Sequence, residues 1–163
     1  MTYLLTILTV IFLGNTINSD NFIQKQEGYV PYAKDIGNGK ITSGFGLTNT
    51  GRNSGYYVPY EQAIKEFTKR LNTVERPALR KIQATLPFKL TKYQETVILS
   101  LLFNVGVNEF NNSQALKYLQ ASNVDGFKYE AFSRERGYVH IKGTFSKGLY
   151  NRRQRELKLW DRK

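Results

Sequence analysis

The sequence predicts an α+β fold of two lobes, a small β-hairpin lobe followed by a larger helical lobe. Three observations carry that reading. Asn38-Gly39 stands between two short strand-like stretches, and Asn-Gly is the strongest short hairpin signal. From Tyr60 onward, apolar residues recur at helical spacing almost to the end of the chain. No internal repeat mixes the two textures, so strand and helix are segregated, as in α+β folds.

The elements follow in order. Tyr3 to Leu13 is apolar except for Thr6 and Thr9, and it ends at Gly14-Asn15. Its length falls short of the ~20 residues that span a bilayer but matches the apolar core of an export signal. No Lys or Arg precedes it and no A-x-A site follows it, which also suits a membrane anchor able to let go. A helix packed on the domain is the alternative. Residues 1–18 are therefore set apart as a signal- or anchor-like segment, and 19–163 as the folded domain. Ser19 is an expected N-cap for a helix reaching Glu27, with Gly28 at C′. Tyr29 to Asp35 and Lys40 to Leu47 form the hairpin, and Asn49 to Ser54 reads as loop.

Tyr60, Ala63, Ile64, Phe67 and Leu71 share one helical face. Leu79 and Ile82 mark a second helix after Pro77, a residue suited to a first turn. Thr91 and Gln94 form a capping box ahead of Val97 to Phe103, a run apolar nearly all round and therefore central. Ala115, Leu116 and Leu119 give another helix, and Phe127 with Phe132 a further one. Leu149, Tyr150, Leu157 and Trp160 give the last. Where two such lobes meet, a cleft is expected.

Composition then excludes several chemistries. There is no cysteine, so disulfides and thiolate catalysis are ruled out. His140 is the only histidine, which rules out a site built from several imidazoles. No metal-ligand cluster is visible, and neither a metal nor an organic cofactor is expected. Acid–base chemistry must rest on carboxylates. Lys and Arg number 24 against 13 acids, a net charge of +11 that points to a polyanionic partner without choosing among nucleic acid, anionic membrane and bacterial wall.

The candidate chemistry lies around the hairpin. A two-residue Asn38-Gly39 turn would set Gly37 opposite Lys40, Ile36 opposite Ile41 and Asp35 opposite Thr42. Opposed residues have Cβ atoms about 4.5–5.5 Å apart, so a carboxylate and a hydroxyl could share one water. Gly44 and Gly46 continue that face without side chains, which suits close approach of a ligand. Glu27 precedes the hairpin at a helix C-terminus, where the dipole opposes ionisation. Asp35, on an exposed hairpin, stays ionised. One carboxyl that protonates a leaving oxygen and another that activates water are the working parts of a glycosidase.

These residues resemble the phage-type lysozymes and endolysins (glycoside hydrolase family 24). That pattern opens with Glu-Gly, runs through Tyr and Asp, and closes with Thr-x-Gly-x-Gly-x-Thr. Here it reads Glu27-Gly28, Tyr32, Asp35, then Thr42-Ser43-Gly44-Phe45-Gly46-Leu47-Thr48. Leu101 to Gly106 resembles the family's buried helix and the turn that ends it, and Phe110 with Ser113 to Leu119 its next helix. Gly148-Leu149, Arg152-Arg153 and Glu156 before Trp160 are similar to its C-terminal helix. The likeness runs from about Phe22 to Trp160. It implies the two-lobed lysozyme fold and hydrolysis of the β-1,4 bond between N-acetylmuramic acid and N-acetylglucosamine in peptidoglycan, leading to host cell lysis.

Carried over residue by residue, Glu27 is the acid, while Asp35 and Thr42 position and activate the water. Arg152 approaches the acid from the last helix, and its charge opposes the effect of the dipole. Asp35 lies one residue closer to Glu27 than the family pattern and one farther from Thr42. The family's usual inverting course is adopted as an expectation. It needs a water between carboxyls roughly 6.5–9.5 Å apart.

Other features divide between function and plain structure. Tyr32 and Phe45 flank the expected site and are candidates for stacking on sugar rings. Asn104 either contacts glycan or caps the buried helix. Arg152, Arg153 and Arg155 hold substrate anions or form a solvated face, Glu156 pairs with a neighbouring Arg, and His140 is structural or exposed. A nucleic-acid-binding protein would interleave aromatics with Arg and Lys across a sheet; here they scatter through helices, and no nucleic-acid partner is expected. A wall-binding module without catalysis and a lytic transglycosylase of the same fold are the remaining alternatives. Peptidoglycan is the expected partner, with transient membrane association through the first segment. The expected protein is a monomer exported to the host periplasm or wall, with membrane tethering before release.

Overall fold

The computed structural model describes residues 17–162 except 38 and 49, so the apolar stretch Tyr3 to Leu13 lies outside the described residues. Helix α1 (Ser19–Glu27) opens the described chain. Its N-cap is Asn18, whose side chain accepts from the Asn21 N–H; the expected cap, Ser19, is instead its first residue. The Ser19 hydroxyl is buried and shares a 2.6 Å hydrogen bond with Thr96. Gly28 closes the helix as expected, its N–H returning to the Gln24 carbonyl.

Strands β1 (Val30–Asp35), β2 (Ile41–Gly44) and β3 (Leu47–Thr48) form an antiparallel sheet in that order. The expected hairpin is present, with two corrections. Its loop holds three residues rather than two: Ile36 N–H donates to the Lys40 carbonyl, and Lys40 N–H to that of Gly37. One extra loop residue shifts the register by one, so Asp35 faces Ile41 and Lys34 faces Thr42. The expected second strand also divides, because Phe45-Gly46 turns and sends β3 back along β2.

Strand β1 bulges between Val30 and Lys34, and its outer edge is covered by the following loop. Ala33 N–H donates to the Tyr56 carbonyl and its own carbonyl accepts from the Gly55 N–H, Val58 N–H donates to the Pro31 carbonyl, and Tyr32 bridges to Tyr57. Arg52 pins the loop to the sheet and to the first long helix. Its guanidinium donates to Ser43 (3.0 Å), pairs with Glu66 and lies over the Tyr56 ring.

Burial pushes the Glu66 carboxyl up, but hydrogen bonds from Arg52 and Gln62 and the Arg52 charge outweigh it, and the net shift is downward. A lowered carboxyl stabilises the fold above its unfolded value and loses that contribution as pH falls through the folded value. Thermal unfolding followed from neutral pH to about pH 3 should therefore show a steeper acid loss for the native chain than for Glu66→Gln. Parallel curves would contradict this.

The helical lobe consists of α2 (Tyr60–Arg70), α3 (Arg76–Thr85), α4 (Lys92–Val105), α5 (Val107–Asn111), α6 (Gln114–Gln120), α7 (Val124–Phe132) and α8 (Lys147–Trp160). Pro77 sits in the first turn of α3 as expected, and between α2 and α3 the chain widens into a π turn over Leu71–Glu75. That turn precedes Pro77, which lacks the N–H that a helical bond to Thr73 would need. Glu75 is buried beneath it against Arg70 at 2.9 Å.

Helix α4 begins with the expected Thr91–Gln94 capping box, and Thr96 to Phe103 are all buried. It is the central helix, packed against α1, α3, α5 and α8. A hairpin of β4 (His140–Ile141) and β5 (Thr144–Phe145), unforeseen from the sequence, precedes α8. Among the described residues, no helix is long and apolar enough to cross a membrane.

Candidate active site

Glu27 ends α1 just where the sheet begins, and two elements distant in sequence hold its carboxylate. From α8, Arg152 Nη1 pairs with Glu27 Oε1 at 2.7 Å. From the turn after β2, Gly46 presents its bare backbone: a Cβ there would lie 2.7 Å from Glu27 Oε2. Gly46 also has φ +72°, a conformation that other residues adopt only with strain. Gly44 plays a different part from the one expected, since a Cβ on it would meet Ala63 Cβ at 3.2 Å. Of the two glycines on the supposedly bare face, one serves helix packing and one abuts the acid.

Gly46→Ala should therefore displace the carboxylate as well as strain the turn. Misplacing a reacting group by about an ångström costs on the order of a hundredfold in rate. A turbidity assay should show a loss of that order, with about 1 kcal/mol lost in stability. A variant as active as the native chain would show that Gly46 does not position Glu27.

Beneath Arg152 lies a buried polar network. Its Nε donates to Glu156 Oε1 (3.1 Å), and its Nη2 donates to the Ser100 hydroxyl (3.2 Å) and carbonyl (3.4 Å). Ser100 Oγ donates to Glu156 Oε1 at 2.6 Å. Arg153 lies 3.0 Å from Glu156 Oε2 and donates to Asn104 Oδ1 at 3.0 Å. Ser100, Arg152, Arg153 and Glu156 are all buried. Burial pulls the Arg153 guanidinium down to about 10, Glu156 opposing, so it remains charged at neutral pH. Neither Arg152 nor Arg153 is on a solvated face; exposed Arg155 instead donates to Gln26 Oε1 at 2.9 and 2.6 Å. Glu156 pairs with neighbouring arginines as expected. Ser100 escaped the sequence reading, although a hydroxyl within the run Val97 to Phe103 was the available signal.

The remaining site candidates are placed as follows. Thr42 is buried on β2, opposite Lys34 on one side and Thr48 on the other. Exposed Asp35 accepts from the Gly37 N–H at 2.7 Å, so its carboxylate closes the hairpin turn. Because opposed residues share a face and successive ones alternate, this register does not set Asp35 beside Thr42. Tyr32 is exposed, its ring 5.3 Å from that of Tyr57. Phe45 is only 4% exposed and sits in the core with Phe67. Asn104 does not cap α4, whose C-cap is Gly106. It lines a cavity of about 350 Å³ with Tyr138, His140 and Leu149, and His140 is exposed as expected. Among the described residues, no group of three or more His, Cys, Asp or Glu could hold a metal.

The chain is similar to known proteins in sequence and in fold. A family model described as phage lysozyme matches residues 24–156. The endolysin of Acyrthosiphon pisum secondary endosymbiont phage 1 is 33% identical over 139 residues, covering 85% of this chain and 92% of that protein. The SAR-endolysin of Escherichia phage Mu is 34% identical over 86 residues, covering 53% of this chain and 48% of that protein. Among solved structures, the muramidase domain of SpmX from Asticaccaulis excentricus superposes with a TM-score of 0.72 at 21% identity. It covers 89% of this chain and 95% of that one, a likeness of fold.

Proposed function

The chain belongs to the phage lysozyme family and is a peptidoglycan-hydrolysing endolysin; from that premise we propose that Glu27 is its general acid and that it cleaves with inversion. The observation that supports Glu27 most is its clamp between buried Arg152 and the bare backbone of Gly46. Pairing at Oε1 and the close approach of Gly46 at Oε2 restrict the direction of the carboxyl, as a proton donor needs. In the proposed reaction Glu27 gives its proton to the glycosidic oxygen as the bond from C1 of N-acetylmuramic acid breaks. A water attacks C1 from the opposite face, and Asp35 takes its proton. The products are two shortened strands, one with a new reducing end.

Thr42 is the proposed hydroxyl that orients this water. In the observed register Asp35 must serve from the end of β1, across the hairpin from Ile41, rather than as a partner opposite Thr42. Exposed Tyr32 and the Asn104 cavity are the proposed flanking contacts for glycan, while Arg152 acts by holding the acid. Nuclear magnetic resonance of freshly released reducing ends tests the stereochemistry. The α anomer appearing first is expected; a retained β anomer would exclude the water-mediated route.

The division of the chain into residues 1–18 and 19–163 belongs to this proposal too. Residues 1–18 act as a signal-anchor that exports the domain and tethers it before release. Support comes from the apolar run Tyr3 to Leu13 and from the similarity to the SAR-endolysin of phage Mu. The released protein is a monomer. Membrane fractionation with mass spectrometry of the mature N-terminus tests this.

A further inference from the structure

A second concavity adjoins α1 and the turn after β2, and Glu27 is not among its lining residues. Its volume is about 400 Å³, and Asn21, Gln24 and Lys25 of α1 line it together with Tyr29, Phe45 and Tyr60. The size falls in the ~300–1,000 Å³ range of small-ligand sites. Phe45 adjoins Gly46, which abuts the acid, and Gln24 and Lys25 lie within one helical turn of Glu27. The groove and the acid thus share one helix and one turn.

Its lining has two halves of unlike chemistry. The aromatic half is rigid, with ring centroids 5.1 Å apart for Tyr29–Tyr60, 5.8 Å for Tyr29–Phe45 and 5.8 Å for Phe45–Tyr60. The Tyr29 hydroxyl is fixed on the Val58 carbonyl at 2.5 Å. Tyr60, 52% exposed, offers the open ring. The polar half is uncommitted: among the described residues, the side chains of Asn21, Gln24 and Lys25 make no hydrogen bond or ion pair.

We propose that this groove binds an N-acetylated amino-sugar unit of the wall glycan, as a second site outside the catalytic cleft. A sugar ring has an apolar face that fits an aromatic ring and a rim of hydroxyls that fits amides able to donate and accept. An acetamido group adds one donor and one acceptor of the same kind. One lysine and no acid suit a mostly neutral ligand carrying an isolated carboxylate, as muramic acid does. A phosphate polymer would call for several cations, and a wholly apolar ligand would leave the two amides unpaired. This inference rests on the reading that the protein acts on peptidoglycan. A second hold on the same polymer raises residence on the insoluble wall without changing the reaction.

The test uses full-length Glu27→Gln protein, which can bind glycan without cutting it, titrated with N-acetylglucosamine tetramer and separately with glucose tetramer. Saturable shifts of the Asn21 and Gln24 side-chain amide resonances are expected with the first probe only. They should weaken in Tyr60→Ala by about threefold in apparent affinity, as loss of a stacking ring implies. With Glu27 intact, Tyr60→Ala and Lys25→Gln should each reduce cosedimentation with intact sacculi, while turnover of soluble glycan fragments is unchanged. Amides that stay still while Asn104 shifts would overturn the second site, as would shifts equally strong in Tyr60→Ala. Failure of the native chain to cleave any glycan would instead overturn the proposed reaction, and the amide titration would still decide the groove.

Discussion

Glu27→Gln should clear peptidoglycan suspensions about a thousandfold more slowly than the native chain while remaining folded. Removing a general acid typically costs 10²- to 10⁴-fold, because the leaving oxygen must then depart without a proton. Glutamine keeps the shape that fits against Gly46 and presents a carbonyl oxygen to Arg152 in place of the ion pair, while Arg152 retains Glu156 and Ser100 as partners. The fold should therefore lose little, and an unfolding curve recorded beside the clearing assay separates the two effects. Equal clearing by both proteins would remove Glu27 from the mechanism.

Glu156→Ala should have the largest effect on stability, about 3–5 kcal/mol, the usual cost of removing one partner from a buried ion pair. The Glu156 carboxylate lies between two buried guanidinium groups and also accepts from Ser100. Without it Arg152 keeps Glu27 and Arg153 keeps Asn104, so two desolvated cations would share weaker partners. Denaturant unfolding measures the loss directly. Glu156→Gln, which keeps hydrogen-bonding capacity, should lose less. A loss below about 1 kcal/mol in the alanine variant would mean that water replaces the carboxylate. Activity should fall too, because the network sets the direction of Arg152 and hence of Glu27.

Local patterns reached furthest where one short segment decides the outcome. The Thr91–Gln94 capping box and the fully buried run after it are dictated within a single helix, and both are present. Gly28 closes α1 for the same reason. The hairpin was legible but its register was not, since Gly37-Asn38-Gly39 accepts a loop of two or three residues and only the packing of the lobe chooses. That one-residue difference separated Asp35 from Thr42. The support under Glu27 was legible only in part. Resemblance pointed to Arg152, but Ser100 and Glu156 lie 56 residues apart and meet only when α4 and α8 pack. Gly44 and Gly46 look alike in sequence, yet one faces a helix and the other the acid.

The most direct test is digestion of purified peptidoglycan in heavy-oxygen water by the native chain and by Glu27→Gln, with the fragments weighed by mass spectrometry. Fragments ending in N-acetylmuramic acid with one heavy oxygen at the reducing end are expected from the native chain, and almost none from the variant. Anhydro ends without the label, or equal digestion by the two proteins, would contradict a water-dependent cleavage that begins with a proton from Glu27.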